Sequence, residues 1–494
     1  MQLAKRPARL LPSCALTLLA AGALSLPQRA GALTSSWINA GGGLWSTPGN
    51  WNNGVPTNAG DVAYITNTIA AASTITNDTP VTLGTLRIGP ITARYNFSSG
   101  SALTMDSGGT GRAILQQTGS QQNYTPASLI MASDLEINNN GGAYFNLTGT
   151  IISGNRDIFI NANGAGGTPY VGPNNTFAGN VTICTGKLMN TGGDPFGSLT
   201  NGVRTVTITN NAALRLNGNI NPLGTNRVFV IGQGGGQFDM NQKIFTINGA
   251  GQLTGSGTLN ILNSTGSGGT LTLGSSNGAF TGQTTLNNGT TLKLAANGTI
   301  NSSPLVLLTN ATAVLDVTAK AGGYFVPSNQ ILAGIGIVSG LVNAASADAV
   351  LHPGICAAAG TSSSPGILTL TGGLTVTNGG CYAWDLAQLK DSAFAPGTTT
   401  YSQLGVTGSV SLAGGTLSIS FVNGIDTPAT TNAFWKTNHT WTVISAAAPP
   451  SGTLKVIGGT YTNWAFTTRV TGNTLELVYE PYQAPQKGSL ISLF

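Results

Sequence analysis

From Asp61 onward, short runs in which aliphatic or β-branched residues alternate with polar ones follow each other with little interruption. Examples are Val62-Ala63-Tyr64-Ile65, Val81-Thr82-Leu83, Leu86-Arg87-Ile88, Val206-Thr207-Ile208 and Leu214-Arg215-Leu216, then Leu259-Asn260-Ile261, Leu271-Thr272-Leu273 and Leu292-Lys293-Leu294. A period of two sends alternate side chains to opposite faces of a strand. Clusters of Gly, Asn, Ser and Thr, the residues that form turns, bound each run. No helical period is sustained after residue 32. The pattern predicts an all-β chain of many short strands.

At 494 residues the chain is long enough for several ordinary domains or one elongated repeat array. Charged residues make up 7% of it and glycine contributes 70 positions, against a charged share of roughly 25% in average proteins. Low charge with high glycine also occurs in disordered chains, but those lack the aliphatic and β-branched residues abundant here. The formal charge of +5 is concentrated at the start, where Lys5, Arg6, Arg9 and Arg29 lie. Without those four, 16 basic residues face 15 acidic ones. A near-neutral chain with no basic run lacks the electrostatic footprint of a nucleic-acid binder.

Residues 1–32 read as a signal peptide. Lys5, Arg6 and Arg9 form the positive region, Leu16 to Leu26 the apolar stretch, and Ala30-Gly31-Ala32 a small-residue cleavage site. The apolar stretch is short for a bilayer span, so the expected mature chain is secreted, extracellular or on the outer cell surface, with no membrane span. Cys184, Cys356 and Cys381 remain after processing. Cys356 and Cys381 sit 25 residues apart, about one turn of a β-helix. They read either as a disulfide between stacked rungs or as two small buried residues.

Residues 33–60 hold Trp45 and Trp51 among Gly and Pro turns. They suggest a compact cap, because an open solenoid end recruits other chains; the alternative is an aromatic surface for sugar rings. Residues 61–345 are assigned to the repeats, 346–482 to a C-terminal β region that ends or caps them, and 483–494 to a flexible tail.

Two segments match internally. Asn175-Thr176-Phe177-Ala178-Gly179-Asn180-Val181-Thr182-Ile183 continues to Gly186-Lys187-Leu188. Its counterpart, Gly278-Ala279-Phe280-Thr281-Gly282-Gln283-Thr284-Thr285-Leu286, continues to Gly289-Thr290-Thr291-Leu292, with one extra residue before the last leucine. Each is a strand, a glycine turn and a second strand, a unit that buries its apolar face only by stacking on neighbours. Stacking would also ladder Asn and Thr side chains. The core Phe280 to Leu292 resembles the autotransporter-associated β-strand repeat, also called the passenger-associated repeat, of bacterial exported and surface proteins. The opening Trp45 to Pro56 is similar to the start of many such proteins. The resemblance implies a right-handed parallel β-helix with an extracellular role and implies no activity. It departs from true autotransporters in showing no stretch with the length and aromatic girdles of a translocator barrel. The chain therefore reads as lacking that barrel, or as a fragment of a longer surface protein.

Enzymes on such scaffolds need clustered carboxylates. This chain has three glutamates, Glu136, Glu476 and Glu480, and scattered aspartates. Rung stacking would bring Asp134 beside Asp157, near Arg156; the other reading is surface charges and turn caps. The two histidines, His352 and His439, lie 87 residues apart, and no Gly-x-Ser-x-Gly elbow supports a serine triad. Gly232-Gln233-Gly234-Gly235-Gly236 lacks the Lys-Ser/Thr of a phosphate loop. Neither a calcium-binding nonapeptide nor a Cys/His zinc cluster is present. No catalytic residue, cofactor or metal is expected. The expected function is a non-enzymatic structural or adhesive module contacting polysaccharide or other surface proteins, through aromatics such as Trp45, Trp51, Trp435 and Trp464. A carbohydrate binder or divergent polysaccharide lyase is the alternative.

Overall fold

In the computed structural model, residues 31–481 are described except for 90–91, 99, 110, 122, 164–166, 201, 222, 267, 357–361, 378, 392–399, 430 and 458–464. Nearly all of the expected leader, Trp464 and the expected tail thus lie outside the described residues.

The fold is a parallel β-helix. One sheet lines up Val62–Ile65, Thr85–Ile88, Ala113–Gln117, Leu135–Asn139, Ile158–Asn161, Val181–Thr185, Arg204–Ile208 and Arg227–Ile231 in parallel. A second wall runs from Asn123–Tyr124 through Lys187–Asn190, Thr284–Leu286 and Val350–Cys356 to Lys455–Ile457. A third, from Ile244–Ile247 to His439–Ala446, faces the later coils. Register explains why the alternating runs must coil. Ala63, Leu86, Leu115, Ile137, Ile160, Ile183, Ile208 and Ile231 pair in turn across successive strands, and all are buried. Each inward side chain therefore covers the one beneath it, about 4.8 Å away.

The internal repeat has a physical cause at its glycines. A Cβ on Gly179 would lie 1.8 Å from the Arg156 carbonyl oxygen, and one on Gly282 1.8 Å from that of Gly257. Only glycine lets the corner approach the preceding coil so closely. The later glycines, Gly186 and Gly289, have φ of 69° and 61°, the left-handed region that glycine enters freely. Phe177 and Phe280 are both buried at the same step. The two copies nevertheless turn different corners. Val181–Thr185 lies in the first sheet and Lys187–Asn190 in the second, whereas Thr284–Leu286 lies in the second and Thr291–Leu294 in the third. The extra residue, Thr290, is fully buried there, its hydroxyl donating to the Asn287 carbonyl at 2.7 Å.

Parallel stacking does not stop at residue 345. Val350–Cys356, Cys381–Leu386, Thr416–Phe421 and Lys455–Ile457 continue the second wall. The helix closes only where His439–Ala446, Thr474–Glu480 and Ala465–Thr471 pair antiparallel.

Of the tryptophans offered as surface contacts, Trp45, Trp51 and Trp435 are inside, which leaves Trp45 and Trp51 to the cap reading. Trp45 and Trp51 are 1% and 4% exposed and pack edge to face, centroids 4.7 Å apart, with Trp37 against Trp51. Their indole N–H groups donate to Pro56 and Trp45 carbonyls. They plug the N-terminal end, as an indole buried with its N–H satisfied does. Trp435 is fully buried among Phe434, Trp441, Phe466 and Tyr479 beneath the antiparallel strands. None of the three presents a ring face to a ligand.

Candidate functional site

Asp134 and Asp157 do meet on adjacent coils, since Leu135 pairs with Ile158. Each carboxylate is engaged by the next coil. Asp134 Oδ1 accepts the Asp157 amide at 3.1 Å, and Asp157 Oδ1 accepts the Asn180 amide at 2.7 Å. Asn180 Oδ1 then accepts the Thr205 amide at 3.0 Å. The column is a ladder of side-chain caps for strand starts, and an asparagine serves in it as well as an aspartate. Arg156 is exposed, and what it brings to the column is the backbone carbonyl against which Gly179 packs.

A second constellation was not legible as such. His352 lies in the strand Val350–Cys356, in register with Ala333. Its Nε2 is 2.6 Å from Asp385 Oδ2, and both side chains are almost wholly buried. Cys356, 3% exposed, ends the same strand and packs with Leu305, Leu307 and Ala333. Burial is the strongest influence on the His352 ring and pushes its pKa down. The hydrogen bond and charge of Asp385, with the Cys356 sulfur adding to them, outweigh it and lift the pKa to about 9. At neutral pH the His352 ring is therefore protonated, and its Nε2–H donates to Asp385 Oδ2. A histidine oriented by a carboxylate with a thiol nearby is the raw material of nucleophilic catalysis, but these side chains have no open approach for a substrate. The available signal was Asp385 itself, a charge inside the apolar run Tyr382-Ala383-Trp384-Asp385-Leu386, 33 residues after His352.

Of the two readings of Cys356 and Cys381, the disulfide is not made: neither they nor Cys184 is in a disulfide. Cys381 stands in register with Val350, at the opposite end of the strand from Cys356. Six residues at about 3.3 Å each put them roughly 20 Å apart, far beyond disulfide reach. Spacing by one coil placed them on neighbouring strands, but not at the same position along them.

His439 is also enclosed, stacked on Phe434 with centroids 3.6 Å apart, its Nδ1 2.8 Å from Asp391 Oδ2. Among the described residues no group of three or more His, Cys, Asp or Glu side chains could hold a metal ion.

A groove of about 410 Å³ opens beside Arg94, Asn96, Phe97, Thr125, Asn146 and Thr150. A separate gap of about 10 Å³ between Ile137 and Phe177 is a small void in the core with an almost wholly apolar lining, which gives a water few partners. No protein-family model matches the chain, and no curated protein matches it. What the fold and its sites define is a class, a parallel β-helix in which several carboxylates, Asp134, Asp157, Asp239 and Asp385 among them, tie one coil to the next. No helix among the described residues is long and apolar enough to cross a membrane.

Proposed function

We propose that this chain is an exported, non-enzymatic β-helix that serves as a structural or adhesive module of a bacterial surface or matrix. The observation that carries the reading is the ladder Asp134–Asp157–Asn180, in which the carboxylates best placed for catalysis accept backbone amides of the next coil. Export is supported by the leader-like residues 1–32, and the surface role by the likeness of Phe280 to Leu292 to the autotransporter-associated repeat. Purified protein incubated with a panel of polysaccharides should produce no new reducing ends or unsaturated products. Product formation lost on Asp134→Ala or Asp157→Ala would overturn the reading in favour of a divergent lyase. Cleavage after Ala32 in protein recovered outside the cell tests the export half. The lateral groove favours a second reading in which the module binds carbohydrate.

A further inference from the structure

We propose that the groove beside Asn96 and Asn146 binds an extended polysaccharide chain lying along the helix axis, with a carboxylated sugar unit at Arg94. The proposal deepens the surface-module reading and rests on it. The groove, at about 410 Å³, falls within the roughly 300–1,000 Å³ usual for ligand sites. It is open along the wall, so it suits a chain passing through better than an enclosed small molecule.

Its lining selects hydroxyl and carboxylate oxygens. The Asn146 side-chain oxygen already accepts the Thr148 amide at 2.9 Å, which leaves its NH2 group for a ligand. Asn96 offers a second half-buried amide. Thr125 and Thr150 bond to each other at 2.6 Å, and Thr150 donates onward to the Pro126 carbonyl at 2.8 Å, giving a fixed floor. The groove lining contains the exposed cation Arg94 and no carboxylate.

A second observation stands next to the groove. Asn146 pairs with Tyr170, and Tyr144 precedes it by two residues on the same outward face. The two tyrosine rings lie 6.0 Å apart at 39°, and Tyr144 is 40% exposed. Tyr170 is held by a hydrogen bond between its hydroxyl and Asn217. Rigid aromatic faces flanked by planar amides match the two surfaces of a sugar ring, its C–H face and its hydroxyl edge. From the strand of Asn96 to that of Tyr170 is three coil steps, about 14 Å, so contact with both ends requires an oligomer. A nucleic acid would require a basic track that a single arginine does not supply.

The test is affinity electrophoresis and calorimetry of the purified full chain with polygalacturonate, its methyl-esterified form and a neutral xylan. Tyr144→Ala, alone and with Tyr170→Ala, should weaken binding about tenfold without a change in Tm. Arg94→Gln should reduce polygalacturonate binding several-fold and leave the methyl-esterified form unchanged. Phe325→Ala, which removes a still more exposed aromatic on another wall, should bind as the parent does. Absence of binding to all three polymers overturns the proposal, as does binding that survives the tyrosine changes. In the latter case adhesion remains and only the groove is refuted. New reducing ends would instead refute the non-enzymatic reading.

Discussion

Raising the pH should unlock the coil that carries His352. The ordinary imidazole pKa of 6.5 is lifted to about 9 in the fold. Each tenfold change in proton affinity is worth about 1.4 kcal/mol, so the folded state gains about 3 kcal/mol from holding this proton. Because the folded value lies above the unfolded one, the stabilisation is fully present below about pH 6.5 and disappears as pH rises through about 9. Two neighbours, Cys381 and Tyr382, are shifted up and away from that window. Burial raises the Cys381 thiol from 9.0, and the Tyr382 hydroxyl is held well above 10. Urea midpoints at about pH 6 and pH 10 can be followed by fluorescence, since the fully buried Trp384 precedes Asp385 in sequence and packs 5.5 Å from Trp441. Solenoids do not always unfold in one step, so amide exchange across Val350–Cys356 provides a local readout. Asp385→Asn should remove about 3 kcal/mol at pH 6 and flatten the difference between pH 6 and pH 10. Equal midpoints for the parent at both values, or a pH dependence unchanged in Asp385→Asn, would refute the charged pair.

Gly179→Ala and Gly282→Ala should each destabilise by about 1–3 kcal/mol through the clash with the preceding coil, whereas Gly109→Ala, with open space around it, should leave Tm unchanged. Trp51→Ala should lower stability by about 3–5 kcal/mol and leave polysaccharide binding intact, because Trp51 lies inside the cap; a selective loss of binding would refute that placement. Asp157→Asn, which keeps an oxygen for the Asn180 amide, should be tolerated, while Asp157→Ala should cost about 1 kcal/mol in a thermal melt. Mass analysis before and after reduction should show no disulfide, and the buried Cys356 should label with maleimide only on unfolding.

The coil-forming pattern was legible because it is local. Alternation in Val206-Thr207-Ile208 and the Phe–Gly–aliphatic–Gly spacing around Phe280 each follow from one strand meeting one turn, and the structure places both in stacked coils. Position along a strand is not local. Counting 25 residues put Cys381 one coil beyond Cys356, yet the coils here differ in length. The pairing of Val350 with Cys381 depends on how much chain the corners between them consume. The same gap hid the His352–Asp385 contact, whose members are 33 residues apart. Burial failed for a related reason: an isolated tryptophan among glycines and prolines reads alike whether it faces solvent or plugs an end. Only the mutual packing of Trp37, Trp45 and Trp51 decides.

These features together explain how a chain with so few charges keeps its register. A parallel stack with interchangeable aliphatic columns could slip by a coil or a residue at little cost. The inward column from Ala63 to Ile231 gives cohesion but little discrimination among such slips. Discrimination comes from groups that lose a partner when shifted. The ladder Asp134–Asp157–Asn180 would leave backbone amides uncapped, and the close approach at Gly179 would bring a side chain against a carbonyl. His352 would face something other than Asp385, leaving a buried charge unpaired, which is among the costliest local errors a fold can make. Asp134, Asp157 and the His352–Asp385 pair thus act as register pins, and the lateral groove at Asn96 and Asn146 differs from them in that part of its hydrogen-bonding capacity is left over for a ligand.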